Sequence, residues 1–177
     1  SSTAPPALIE GTAQLGPMSR SMKNTEMDAF ERKFRYKPTA FPVAIDALAV
    51  YVNKDNPVNG LTMAQVDAIF SKSRRVGHNE RIQVWKQAGM EDGLGDSPIS
   101  IYGRNSASGT YGFFKEHALN NGDHKDEVKE QPGSASVVQS ISEEQSGIGY
   151  SGIGYITHNV LAVPLPEKDC APFQETV

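Results

Sequence analysis

Cysteine is almost missing from this chain. Cys170, in KDCAPF near the C-terminus, stands alone, so no internal disulfide can form and the redox compartment is not legible; it reads as a surface or lightly packed thiol. Long apolar runs are missing as well. The longest, around Ala47 to Val52, is far too short to cross a bilayer. No basic segment followed by an apolar one opens the chain, so no signal peptide is visible. An excess of positive charge is also lacking. Net charge is −4 and the pI about 5.6, which weighs against a general nucleic-acid binder. A small anion stays possible, because a site answers to its local field rather than to the total charge. The four histidines, His78, His117, His124 and His158, lack metal-ligand spacing and read as surface or loop residues. No G-x-x-x-x-G-K-[ST] phosphate loop and no G-x-S-x-G nucleophile elbow occur; GYSGIGY is not one. Neither a catalytic residue, a metal nor a cofactor is therefore expected.

What is present suits a globular chain of one ordinary domain or two small lobes: 177 residues, 38% hydrophobic and 21% charged. SSTAPPALIEG reads as a short helix stopped by Gly11, and TAQLG as a brief strand. NTEMDAFERKFR has Thr25 as a cap, acids first and bases last, with Met27, Phe30 and Phe34 on one face. AFPVAIDALAVYVNKDNP reads as a long strand, and LTMAQVDAIFS as a helix capped by Thr62. Residues 71–97 are mixed, with Trp85 anchoring a loop. PISIYGR reads as a strand, SGTYGFFKEHAL as a helix with Phe113 and Phe114 in the core, and SASVVQSISEE as a helix. NNGDHKDEVKEQPG, residues 120–133, reads as an exposed connection whose Asp123, Asp126, Glu127 and Glu130 form a solvated charge run. Two short strands, in SGIGYSGIGYI and NVLAVPL, complete the series. SGIGY occurs twice in succession, too short a unit for a repeat architecture. Alternating strands and helices argue for an α/β fold.

One stretch carries chemistry. In IYGRNSASGTYGFF a strand ends near Arg104 and a helix starts near Ser108. The free amides of that helix end form an anion site. Ser108 and Thr110 add hydroxyls, Gly109 admits a ligand oxygen close to the backbone, and Arg104 offers a planar fork for two oxygens. The bland alternative has Ser108 as a helix cap and Arg104 as a surface cation. Two similar corners shift the balance: Ser1-Ser2 before the first helix, and Ser19-Arg20 before the second. Three such corners suit convergence on one small anion.

The chain resembles the phosphate-binding protein of bacterial phosphate ABC transporters. SSTAPPALIEGTAQLGPMSR is similar to that family's serine pair and strand-and-serine corner. AIDALAVYVNKDNPVNGLTMAQVDAIF is similar to its crossover strand and next helix, GRNSASGTYGFF to its arginine-to-S-G-T loop, and SGIGYITHNVLAVPL to its G-x-I-G-Y segment. The resemblance implies a periplasmic-binding-protein-like (type II) two-lobed α/β fold with one lobe incomplete: residues 1–43 as a partial first lobe, and 44–177 as the second. It implies ligand contacts at Ser1, Ser19, Arg104, Ser108, Gly109 and Thr110, with Ser2 and Arg20 beside them. The carboxylate that accepts the hydrogen-phosphate proton in the best-known members falls on Ser19, where no aspartate stands, which leaves selectivity against sulfate in question. The implied partners are phosphate or a related oxyanion and a membrane permease, with no nucleic acid. The implied place is the periplasm or the cell exterior, with a lipid anchor in a Gram-positive envelope. The family's members are longer at both ends, so a trimmed chain and self-association through an exposed apolar face are expected. Two alternatives stand beside this reading: an enzyme acting on a phosphorylated or sulfated substrate, and an adhesion or interaction protein that reuses the fold.

Overall fold

The computed structural model describes residues 1–91 and 93–166; Cys170 lies outside them. The elements run α1 (Ala4–Glu10), α2 (Asn24–Phe34), β1 (Leu48–Asn53), α3 (Met63–Phe70), β2 (Ser100–Arg104), α4 (Gly109–Ala118), β3 (Lys129–Gln131), α5 (Ser134–Ser142), β4 (Gly147–Gly152) and β5 (Val160–Ala162), with short 3₁₀ turns at Trp85–Ala88 and Ile153–Tyr155. The five strands form one sheet in the order β3-β2-β4-β1-β5. β2 runs parallel to β3 and β4, while β1 runs antiparallel to β4 and β5.

Strand periodicity sorts the core into two layers. Val50, Val52, Ile101, Ile148 and Tyr150 pack on one side with Leu61, Ile69, Phe70, Trp85 and Phe114. Tyr51, Tyr102 and Val160 face the other side, against Val137, Val138 and Ile141 of α5. The helix α5 lies so close that a Cβ on Gly149 would stand 2.9 Å from Ile141 Cδ1 and 3.0 Å from Val137 Cγ1. Trp85 is fully buried, and its indole N–H donates to Ser146 O at 3.2 Å, which anchors the irregular stretch as expected. Thr62 caps α3 by accepting from the Gln65 amide at 3.1 Å.

Several expectations are corrected. No strand forms at Thr12–Gly16; Gly16 instead packs on α1, where a Cβ would meet Leu8 Cδ1 at 2.7 Å. The long strand shrinks to Leu48–Asn53, because its partner β4 ends at Gly152, opposite Leu48. Upstream, Val43 and Ile45 are fully exposed. Thr25 lies inside the first turn of α2, whose end is held by Glu26 accepting from the Lys23 amide at 2.8 Å. The connection 120–133 is not wholly exposed. It contributes β3, and Lys125 is buried with its ammonium donating to Ile82 O at 3.0 Å. Phe114 is core, but Phe113 is exposed and rests on His117. Among the described residues no helix is long and apolar enough to cross a membrane, and no group of His, Cys, Asp or Glu is placed to hold a metal ion.

Candidate functional site

The chain brings its serine corners together at one point. β2 ends at Arg104, a loop follows, and α4 opens at Gly109 with Ser108 in extended backbone as its N-cap. The Ser108 hydroxyl accepts from the Thr110 amide at 3.2 Å. Among the described residues the Gly109 and Tyr111 amides have no protein acceptor, as the first turn of a helix requires. From the N-terminal segment, Ser2 Oγ donates to Ala107 O at 3.1 Å. Ser1 Oγ accepts from the Ser19 amide at 3.1 Å and stands 3.1 Å from Ser19 Oγ. Both hydroxyls lie against Gly109: a Cβ there would be 2.1 Å from Ser19 Oγ and 2.4 Å from Ser1 Oγ. Only glycine permits that approach. The polar atoms nearest a Gly109 Cβ are the Ser19 and Ser1 hydroxyls, and no carboxylate hydrogen-bonds to Ser1, Ser19, Ser108 or Thr110 among the described residues.

The two arginines are placed differently. Arg104 Nη1 donates to Ser134 Oγ at 3.0 Å and Nη2 to Pro132 O at 3.2 Å, so its fork is tied to the start of α5. Its buried Nε has no partner. Arg20 forms a bidentate pair with Glu26, both bonds at 2.9 Å. That bond, opposed in part by desolvation, raises the guanidinium further and lowers the carboxyl. Neither guanidinium bonds to Ser108, Gly109 or Thr110.

Behind Arg104 lies a cleft of about 440 Å³ that sequence reasoning missed. Arg104, Tyr111, His124, Lys125, Asp126, Val128 and Glu130 line it. Tyr150 Oη accepts from the Arg104 amide at 3.2 Å and stands 3.2 Å from His124 Nε2. The Tyr150 ring stacks on Phe114 at 3.8 Å and 5°, and His124 stacks on Tyr111 at 4.4 Å and 23°. Burial, then the charge of Lys115, holds His124 down at about 4, and burial pushes the Tyr150 hydroxyl above its ordinary range. Burial also brings the Lys125 amine down to about 8. His124 is thus half-buried rather than a surface histidine. It stands alone in a charge run, and no spacing in the sequence could have paired it with Tyr150, 26 residues away.

The model of the PBP superfamily domain matches residues 1–165. The chain belongs to the PBP superfamily. Within it, the chain is 59% identical over 175 residues to the phosphate-binding protein PstS of Pseudomonas aeruginosa, covering 99% of this chain and 54% of that protein. It is 32% identical over 150 residues to the protein SphX of Synechococcus elongatus, covering 84% of this chain and 42% of the relative. The chain thus spans about half the length of the curated relatives it matches. Among solved structures it superposes on a Clostridium perfringens substrate-binding protein assigned to phosphate ABC transport and solved with bound phosphate. The TM-score there is 0.77 at 26% identity, covering 93% of this chain and 60% of the other. An ABC-type phosphate transport receptor from Vibrio cholerae shares the fold at TM-score 0.67 and 22% identity, covering 96% of this chain and 63% of the other. The mixed sheet with helices on both faces agrees with the α/β fold of these neighbours.

Proposed function

We propose that the protein is a solute-binding protein, not an enzyme, that captures phosphate or a related tetrahedral oxyanion outside the cytoplasm and delivers it to an ABC transporter permease. One observation carries the reading: Ser1, Ser19 and Gly109 meet at the open N-terminus of α4, in a chain similar along 99% of its length to a phosphate-binding protein. Ser1, Ser19, Ser108 and Thr110 supply hydroxyls, Gly109 supplies its amide, and Arg104 supplies the charge. Ser2 docks the first segment on the loop through Ala107 O. Arg20 keeps Glu26, and with it the start of α2, in place.

Residues 1–43 then belong to one lobe and residues from 44 onward to the other. In support, α1 and α2 pack on each other, and the hydrogen bond that joins residues 1–43 to the sheet unit among the described residues is that of Ser2. Binding closes the lobes about residues 43–49 and traps a dehydrated anion between helix ends and guanidinium. Charge-assisted bonds of this kind contribute about 1.5–3 kcal/mol each. Exposed apolar side chains, among them Phe41, Val43, Ile45 and Ile156, support self-association of the chain; light scattering that shows only monomer at high concentration would remove that element.

Calorimetric titration with phosphate and with sulfate tests the main reading. Saturable phosphate binding without phosphatase or sulfatase turnover is expected, and Arg104→Ala weakens it by roughly tenfold to a hundredfold. With no carboxylate in the corner, phosphate and sulfate should bind within about tenfold of one another. Released product, or no binding of either anion, refutes the reading.

A further inference from the structure

Arg104 supplies the charge in the reading above, yet its fork is bonded to residues 132–134. What sets the arginine against the corner at 108–110 is found on its other side. Its amide donates to Tyr150 Oη at 3.2 Å. The same tyrosine ring lies flat on Phe114, a residue of α4, the helix that carries the corner. His124 takes the far side of the hydroxyl at 3.2 Å and stacks on Tyr111 in the first turn of α4. Two rings thus clamp the end of β2 to the start of α4. Gly103 leaves the space this needs: a Cβ there would stand 2.8 Å from Val128 Cγ1 and 3.3 Å from both Tyr150 Cε1 and Oη.

Proton counting gives the clamp a direction. The Tyr150 oxygen accepts from the Arg104 amide; the tautomer that gives its proton an acceptor is the one with His124 Nε2 unprotonated. The proton of neutral His124 then sits on Nδ1, and that buried atom has no partner. A second proton, placed on Nε2, would turn acceptor into donor. The tyrosine proton would lose its acceptor, and a cation would be buried. The charged groups around the ring do little to accommodate it. Asp123 is engaged by Lys115 at 2.6 Å and Asp126 by Lys72 at 2.6 Å. Lys115 disfavours a charged ring and Asp123 favours one, while Arg104, Lys125, Asp126 and Glu130 line the same cleft.

We propose that Tyr150 and His124 are positioning residues for anion capture, holding Arg104 in register with the corner at 108–110, and that protonation of His124 releases the hold. This rests on the reading of that corner as the anion site. In the wild-type chain, nitrogen NMR of the His124 ring should show the Nδ1–H tautomer with a midpoint near 4. Tyr150→Phe keeps the ring stack and removes the acceptor. It should speed exchange of the Arg104 amide and weaken phosphate binding about 5- to 30-fold. His124→Phe should weaken binding similarly and abolish the acid limb of the affinity–pH profile. His124→Gln, whose carboxamide oxygen can still accept, should recover part of the loss and show no acid limb. His117→Gln, on the exposed face, should change neither quantity. A folded Tyr150→Phe with unaltered affinity and Arg104 amide exchange overturns the proposal, as does a His124 ring that titrates like a surface histidine. If wild-type protein fails to bind phosphate, the phosphate reading falls, and ring titration and amide exchange still decide whether the clamp exists.

Discussion

Gly109→Ala separates binding from folding. The new methyl carbon would stand 2.1 Å from Ser19 Oγ and 2.4 Å from Ser1 Oγ, so both hydroxyls must leave. Their departure breaks the Ser19 amide bond to Ser1 Oγ and the contact between the two hydroxyls, each 3.1 Å. Two such bonds are worth about 0.5–1.5 kcal/mol each in net stability. Against that loss, alanine is favoured over glycine inside a helix by about 1 kcal/mol, and position 109 is helical. The two terms nearly offset, so the melting temperature should fall by only a few degrees. Binding has no such offset. The methyl occupies the space through which an anion oxygen reaches the Gly109 amide, and the serine hydroxyls no longer face it. Loss of two or three bonds to an anion predicts a fall in phosphate affinity of roughly 30-fold or more. Calorimetry beside a thermal melt measures both quantities. A variant that binds phosphate within about threefold of wild type would show that the point where Ser1, Ser19 and Gly109 meet is packing rather than a site.

Three other outcomes follow from the geometry. Glu144 accepts from Ser100 Oγ at 2.6 Å, Tyr102 Oη at 2.5 Å and Ser146 Oγ at 3.1 Å, with Lys129 Nζ at 3.5 Å. Burial raises its carboxyl, but those donors outweigh burial and hold it at about 2. Its folded value is therefore below its unfolded one, and its contribution, present above the ordinary value of about 4.5, is lost as pH falls toward 2. With the side chain a third exposed, solvent screening limits that contribution to about 1–2 kcal/mol. Denaturant melts of Glu144→Gln should show this loss at neutral pH and a flatter stability profile between pH 4.5 and 2; an unchanged acid slope would refute it. Trp85→Phe removes the indole bond to Ser146 O in a fully buried position and should cost about 1–3 kcal/mol in a urea melt, since the carbonyl loses its donor. Arg20→Ala breaks the bidentate pair with Glu26 and should loosen residues 1–43, seen as faster hydrogen exchange in α2, while phosphate affinity shifts by less than about threefold; a tenfold loss of affinity would place Arg20 at the ligand after all.

Much of the fold was legible because period and punctuation agree. Val50 and Val52 against Tyr51 is a strand alternation, Thr62 with Gln65 is a capping box, and Ser108 opens α4 as its hydroxyl chemistry requires. The failures share one cause, since a strand needs a neighbour that local pattern cannot supply. Lys129–Gln131 is polar throughout and becomes β3 only because β2 offers its edge. Residues 40–47 carry strand-like side chains and stay irregular because β4 stops at Gly152. The repeated SGIGY makes the point within one sequence. Its first copy runs into the buried strand β4, and the second, with β4 already at its end, turns into a 3₁₀ helix at Ile153–Tyr155. At the candidate site the helix end, the serines and Gly109 were readable from residue type. The direction of Arg104, the pairing of Arg20 with Glu26 and the Tyr150–His124 contact were not, because each depends on which of several partners tertiary packing brings nearest.

On the proposed reading, a chain of net charge −4 would draw an anion to this corner through the distribution of its charges. Glu26 is the acid nearest in sequence to Ser19 among those with resolved partners, and Arg20 neutralises it by a two-bond pair. Asp123 and Asp126 are held by Lys115 and Lys72. What faces the meeting point of Ser1, Ser19 and Gly109 is then neutral hydroxyls, unpaired amides and the positive end of α4, with Arg104 behind them. Neutral donors fixed by backbone cost little reorganisation when an anion arrives, because they already point where it must sit. The single guanidinium does not point there by itself; its main-chain amide is held through Tyr150. If that proposal holds, affinity depends less on the amount of positive charge than on how firmly one arginine is held, and the aromatic pair Tyr150–His124 becomes a lever on binding outside the corner.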